Sequence, residues 1–121
     1  MNIKTINESN IDIAIISGDI VINDVQSAID FIATIRYTTL CDTIIVNKEA
    51  LGIEFFNLKS GLAGEVLQKF ANYKMSIFIV GDFSIYSSQS LHDFIYECNN
   101  SKHIYFAKTY EEAINIIVSK I

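Results

Sequence analysis

The side chains able to do chemistry fall mainly into three short stretches. Lys59-Ser60-Gly61-Leu62-Ala63-Gly64 has the make-up of an anion cradle. A serine and glycines at a helix start leave backbone N–H groups to face a phosphate or carboxylate, the positive end of the helix dipole adds attraction, and Lys59 supplies a full charge. It is not a P-loop, because no Gly-Lys-Ser/Thr follows the glycines. The plainer reading of the same residues is a helix capped by Ser60, with Gly64 admitting a close helix–sheet approach. Gly81-Asp82-Phe83-Ser84 offers a carboxylate that could serve as a general base or as an acceptor for a ligand, or could simply start a turn. Asn47-Lys48 is the natural companion of these groups if a pocket exists, and a solvated loop if it does not. Glu65, Gln68 and Lys69 share one side of the helix that follows Ser60. Glu65 and Lys69 stand at i, i+4 in the favourable order, worth roughly 0.2–0.5 kcal/mol, and could also form a polar wall beside a ligand.

Other reactive types do not assemble. Cys41 and Cys98 match neither a zinc spacing nor a redox pair, and read as buried free thiols. His92 and His103 make no metal or triad spacing with a cysteine or a carboxylate cluster, and both read as surface residues. Arg36, the sole arginine, is expected to pair with Asp30 or Asp42, its sharper use being a bidentate grip on a carboxylate. No metal site and no cofactor is expected.

The elements that must position these residues can be read from composition and period. With 121 residues, one domain spanning 1–121 is expected. At 50% hydrophobic and 19% charged the chain is not disordered, and the absence of Pro with only five Gly excludes collagen-like or low-complexity structure. A net charge of −5 argues against nucleic acid. Apolar runs fall far short of the roughly 20 residues a membrane helix needs, and no export signal is read at the start, so a cytoplasmic protein without membrane attachment is expected. Eight lysines against one arginine, with twenty-three isoleucines, suit A/T-rich coding and discourage reading lysine abundance as chemistry.

Ile3–Ile6 and the alternating Ile11, Ile13 and Ile15 read as strands joined through Asn7–Asn10 in an antiparallel hairpin. Ile20-Val21-Ile22 reads as a further short strand. Asn23 with Gln26 gives a capping-box spacing before a helix whose inner face is Val25, Ala28, Ile29, Ile32 and Ile35. Thr43–Val46 is a strand. Asn47–Lys59 is irregular, with Phe55-Phe56 anchoring a helical turn. A second helix is expected from Ser60, burying Leu62, Ala63, Val66, Leu67, Phe70 and Tyr73. Met75–Val80 reads as a central strand covered on both faces. Ser87 or Ser88 caps a third helix with Leu91, Phe94, Ile95 and Cys98 inward. Ile104–Ala107 is the last strand. Thr109 and Glu112 form a second capping box before a helix with Ala113, Ile114, Ile117, Val118 and Ile121 inward. The fold class is therefore α/β: a mixed, mostly parallel sheet of five to six strands with an N-terminal hairpin and about four helices. Ligands of such sheets bind beyond the carboxyl ends of the strands, where Asn47-Lys48 and Gly81–Ser84 lie.

Several segments together resemble the bacterial domain-of-unknown-function 4180 family: Asp24-Val-Gln-Ser-Ala28, Cys41-Asp42, Val46-Asn-Lys48, Phe55-Phe-Asn-Leu-Lys59, Gly61-Leu-Ala-Gly-Glu65, Leu67-Gln-Lys-Phe70, Val80-Gly-Asp-Phe83 and Phe94-Ile-Tyr-Glu97. That family has no established activity to carry over. The chain more distantly resembles STAS-like domains, which include the anti-sigma-factor antagonists and share an opening hairpin and alternating parallel strands. Their helix-start serine, phosphorylated by a partner kinase, has its counterpart here in Ser60-Gly61-Leu62. Their loop usually reads Asp-Ser-Ser/Thr-Gly, whereas this chain reads Leu58-Lys59-Ser60-Gly61. The resemblance implies a STAS-like fold and a possible switch at Ser60.

Two functions follow as expectations. One is a non-catalytic regulatory or binding module with an unknown protein partner, since no catalytic constellation is visible. The other is a small enzyme or a binder of a small anionic ligand, using Asn47, Lys48, Lys59, Ser60, Gly61, Gly64, Lys69, Asp82 and Ser84. A homodimer is a third expectation, with Tyr73, Tyr86, Tyr96 and Tyr110 as contact residues. If Ser60 caps the helix, Ser60→Asp should be nearly neutral, since an aspartate accepts the same N–H bond.

Overall fold

The computed structural model describes residues 2–19 and 21–120. Two strands, β1 (Asn2–Glu8) and β2 (Ile11–Ser17), form the opening hairpin. Both are longer than composition suggests, because the turn needs only Ser9 and Asn10. Their φ values of 51° and 70° give the doubly left-handed turn whose twist suits a two-residue hairpin. The remaining elements are α1 (Val25–Thr39), β3 (Thr43–Asn47), α2 (Leu62–Asn72), β4 (Ser76–Val80), α3 (Gln89–Asn99), β5 (Ile104–Ala107) and α4 (Tyr110–Ser119). Three short 3-10 turns, Lys48–Ala50, Ile53–Phe56 and Leu58–Ser60, fill the irregular stretch before α2.

The five strands lie in the order β1-β2-β3-β4-β5, antiparallel in the first pair and parallel in the rest. Each parallel step moves the same way, so crossovers of one hand put their helices on one face. That face buries Ala14, Ile16, Ile44, Val46, Ile77 and Ile79 against Ala28, Ile32 and Ile35 of α1, Val66, Leu67 and Phe70 of α2, and Cys98 of α3. The opposite face buries Ile13, Ile45, Phe78, Val80 and Tyr105 under Ala113 and Ile117 of α4. β4 is thus covered on both sides, as its unbroken apolar run requires. Because the strand order never reverses, no crevice opens between diverging crossovers. A site at the strand ends must be built by the loops.

Several local expectations are corrected. The α1 cap is Asp24, whose carboxylate accepts from Ser27 N–H at 2.7 Å while the Ser27 hydroxyl accepts from Asp24 N–H. Asn23 and Gln26 have the same spacing one residue earlier, but Gln26 bonds Asp30 instead. Val21 and Ile22 form no strand. Both their N–H groups donate to Ala50 O, and Ile22 makes an isolated parallel bridge to Leu51. Ile20 and Ile121 lie outside the described residues. Ser60 does not cap α2. The cap position is Gly61 in the left-handed region, φ 75°, and the helix starts at Leu62. Tyr73 is exposed, because the chain turns out of α2 through Lys74 at φ 56°. Ser88 caps α3 through Leu91 N–H. Thr109 caps α4 through Glu112 N–H, but the Glu112 carboxylate takes Lys108 N–H rather than closing the box. Arg36 pairs with Asp42 at 3.0 Å. Among the described residues no helix is long and apolar enough to cross a membrane.

Candidate functional site

The parallel register sets Asn47 opposite Val80, so the residues leaving β3 and β4 emerge together. Lys48 opens the first 3-10 turn and sends its stem across Gly81. A Cβ at Gly81 would stand 2.6 Å from Lys48 Cδ and 2.8 Å from Cγ, so the missing side chain is what lets the lysine cross. The Lys48 ammonium then sits 5.0 Å from the centre of the Tyr86 ring, in cation–π range, with long contacts to Asp82 O (3.4 Å) and the Tyr86 hydroxyl (3.5 Å). The Tyr86 ring stacks on Phe56, with centroids 5.2 Å apart and planes 17° from parallel. The Tyr86 carbonyl is held by His92 Nε2 at 2.6 Å, which fixes the loop after β4 to α3.

These groups wall a groove of about 340 Å³ lined by Lys48, Glu49, Leu51, Ile53, Phe56 and Tyr86. Of its lining, Ile53 is 87% exposed. In Asn47, the residue before Lys48, the side-chain oxygen is buried with no hydrogen-bond partner among the described residues.

A second, more polar cleft of about 510 Å³ lies beside it, lined in part by Asp82, Ser84, His92, Lys108 and Glu112. Asp82 accepts from Ser84 Oγ at 2.5 Å and from Ser84 N–H at 3.0 Å, the turn-forming use of an aspartate. The two Ser84 bonds, with smaller help from Lys48 and Lys108, hold its carboxyl below the ordinary value. A carboxylate stabilised in this way is a weak general base at neutral pH. Ser84 in turn donates to this same carboxylate, a base too weak to take its proton.

The structure therefore brings Asn47, Lys48, Asp82 and Ser84 to one edge. It leaves Lys59, Ser60, Gly61, Gly64 and Lys69 outside that cluster, with no hydrogen bond to it among the described residues. Ser60 is occupied locally: its hydroxyl faces Glu54 O at 3.0 Å and Asn57 O at 2.8 Å, and accepts from Leu62 N–H at 3.2 Å. It pins the Ile53–Phe56 turn that carries one wall of the groove. Lys59 is exposed. Gly64 is exposed too, and a Cβ there would meet nothing, so it serves no close helix–sheet approach. Among the described residues Glu65 and Lys69 form no ion pair, while Gln68 bonds Asn72.

Ile53, Phe56, His92, Lys108 and Glu112 were not visible as site residues in the sequence. The Phe55-Phe56 pair in an irregular stretch and Tyr86 in a loop were the available signals for the groove wall. Both cysteines are free and buried, and burial with the nearby Glu97 pushes the Cys98 thiol up to about 11. Among the described residues no cluster of three or more His, Cys, Asp or Glu side chains could hold a metal ion.

A family model described as Domain of unknown function (DUF4180) matches residues 7–117, nearly the whole span from β1 to α4. The chain belongs to that family. No curated protein matches it.

Proposed function

We propose that this DUF4180 member is a non-catalytic protein-binding module of STAS-like shape that seats an apolar partner side chain in the groove between Lys48, Phe56 and Tyr86. The observation that carries this reading is Ile53, 87% exposed in the lining of a groove whose wall is a stacked aromatic pair with a lysine over its tyrosine ring. Contiguous exposed apolar surface marks contact sites, and Ile53 adjoins the Phe56 and Tyr86 rings in one groove lining. Tyrosine, here Tyr86, is among the residue types that dominate binding energy at interfaces. The STAS-like reading draws support from the opening hairpin and the run of parallel strands alternating with helices.

The lowered Asp82 and the engaged Ser84 favour binding over catalysis. The test is capture of protein partners by the wild-type chain and by Ile53→Asp. A partner retained by the first and lost by the second supports the reading, whereas a partner set unchanged by Ile53→Asp sinks it.

The neighbouring cleft supports a second reading, a small-ligand site. Its volume of about 510 Å³ is ordinary for one, and both charge signs line it. A zwitterionic or mixed polar ligand fits that lining better than a plain anion. A thermal-shift screen of small carboxylates, phosphates and amino acids tests it. A stabilising hit abolished by Lys108→Ala supports this reading, and a screen with no such hit removes it.

A further inference from the structure

The two edges of the sheet are treated differently. At β5 the outward-facing backbone groups are closed by side chains: Asn99 Oδ1 accepts from Phe106 N–H at 2.7 Å and its amide donates to Phe106 O at 3.4 Å. Ser101 Oγ accepts from Ile104 N–H at 3.3 Å, and its one proton faces Cys98 O at 2.6 Å and Ile104 O at 3.2 Å. At β1 nothing of the kind exists. In a two-residue hairpin Glu8 and Ile11 form the hydrogen-bonded pair nearest the turn, so Ile6 and Lys4 also bond inward and Ile3, Thr5 and Asn7 point N–H and C=O outward. Among the described residues none of those outward groups has a partner. The strand is seven residues long and has no proline or bulge to blunt it.

We propose that β1 is a homodimer edge, pairing antiparallel with β1 of a second copy across a two-fold axis at Ile6. The charge pattern selects the occupant and the register. Antiparallel pairing centred on Ile6 sets Lys4 opposite the partner's Glu8 and Glu8 opposite the partner's Lys4, with Ile6 facing its own counterpart. These are non-hydrogen-bonded positions, where side chains approach most closely. Thr5 and Asn7 fall opposite one another, each pair exchanging both backbone bonds. Centring on Thr5 instead would set Lys4 against an isoleucine, so the self-complementary charges favour the first register. Lys4, Ile6 and Glu8 share a face with Ile15, Ile13 and Ile11, their β2 partners. Ile6, Ile11 and Ile15 are only half-buried on that face. The pairing joins the two apolar strips and makes the interface isologous.

The experiment is the mass of the full-length chain by sedimentation or light scattering over a concentration series. Wild type is expected at twice the chain mass. Thr5→Pro removes an outward N–H while leaving the ladder to β2 intact, and is expected at the monomer mass with an unchanged far-UV spectrum. Lys4→Glu sets like charges opposite each other and is expected to weaken the dimer on the order of tenfold, whereas Lys4→Glu combined with Glu8→Lys restores it. A wild-type chain that stays monomeric at its highest soluble concentration overturns the proposal. So does a dimer indifferent to both Thr5→Pro and Lys4→Glu, which must use another face. A double charge swap no tighter than Lys4→Glu alone overturns the register.

Discussion

The groove beside Lys48 and the start of α2 at Ser60 look equally promising in sequence, and the fold uses them in opposite ways. At the α2 start the polar atoms are consumed locally. Ser60 shares its one hydroxyl proton between two carbonyls and accepts one N–H of its own loop, and Gly61 takes up the left-handed conformation that ends one turn and starts the next. At the groove the polar and aromatic groups come from distant stretches, and one apolar side chain, Ile53, is left at the surface while Leu51 is buried. A serine whose hydroxyl is fully engaged is a joint. A lysine laid over a tyrosine beside an exposed isoleucine is, under the proposed function, a contact surface. The two are mechanically linked, because the turn that Ser60 pins is the one that carries Ile53 and Phe56.

The comparison can be broken most strongly at Ser60. Ser60→Ala removes a donor and an acceptor and should cost about 0.5–2 kcal/mol in a chemical-denaturation measurement. Ser60→Asp should cost at least as much, because a carboxylate cannot donate to Glu54 O and Asn57 O and stands against both. This reverses the near-neutral effect that a simple cap at Ser60 would give. An Asp variant as stable as wild type would show that the hydroxyl serves only as an acceptor. Phosphorylation of Ser60 would remove the same donor, so it would loosen the groove wall as well as add charge.

The groove end should respond more mildly. Gly81→Ala forces the Lys48 stem aside and should cost about 1 kcal/mol, with loss of the ring-current shift that Tyr86 imposes on the lysine methylenes in NMR spectra. Lys48→Met keeps the stem and drops the charge. It should change stability by less than about 1 kcal/mol, the size of an exposed cation–π contact, while weakening partner capture.

The smallest effect is that of Asp82. Its carboxyl is lowered in the folded chain, so its contribution is present above the unfolded value and is lost as pH falls through the folded one. Its carboxyl resonance should titrate with a midpoint below 3.8. Ser84→Ala should move that midpoint up toward the ordinary value, since Ser84 is the largest cause of the lowering.

The fold was mostly legible because its signals are local. The caps at Ser88 and Thr109, the alternation of Ile11, Ile13 and Ile15, and the run ending at Val80 each rest on a period or on a residue type at a fixed offset. The α1 cap slipped by one residue because Asn23-Asp24 offers two capping side chains in a row, and only the reach of Ser27 decides between them. Tyr73 fits the α2 stripe by spacing, but the helix ends at Asn72 and leaves Tyr73 as its cap, 46% exposed. The groove was legible only in part. Lys48 and Asp82 follow strands and so announced themselves. Phe56 and Tyr86 meet by tertiary stacking between segments far apart in the chain, which no sequence period encodes.

The most direct measurement compares protein capture by wild type, Ile53→Asp and Leu40→Asp, with bound proteins quantified by mass spectrometry. Leu40 is the control, an exposed leucine at the far end of α1 with 84% of its surface free against 87% for Ile53. The account predicts a partner that wild type and Leu40→Asp retain equally and that Ile53→Asp loses. Equal retention by all three, or equal loss from both variants, would contradict the assignment of the groove as the binding surface.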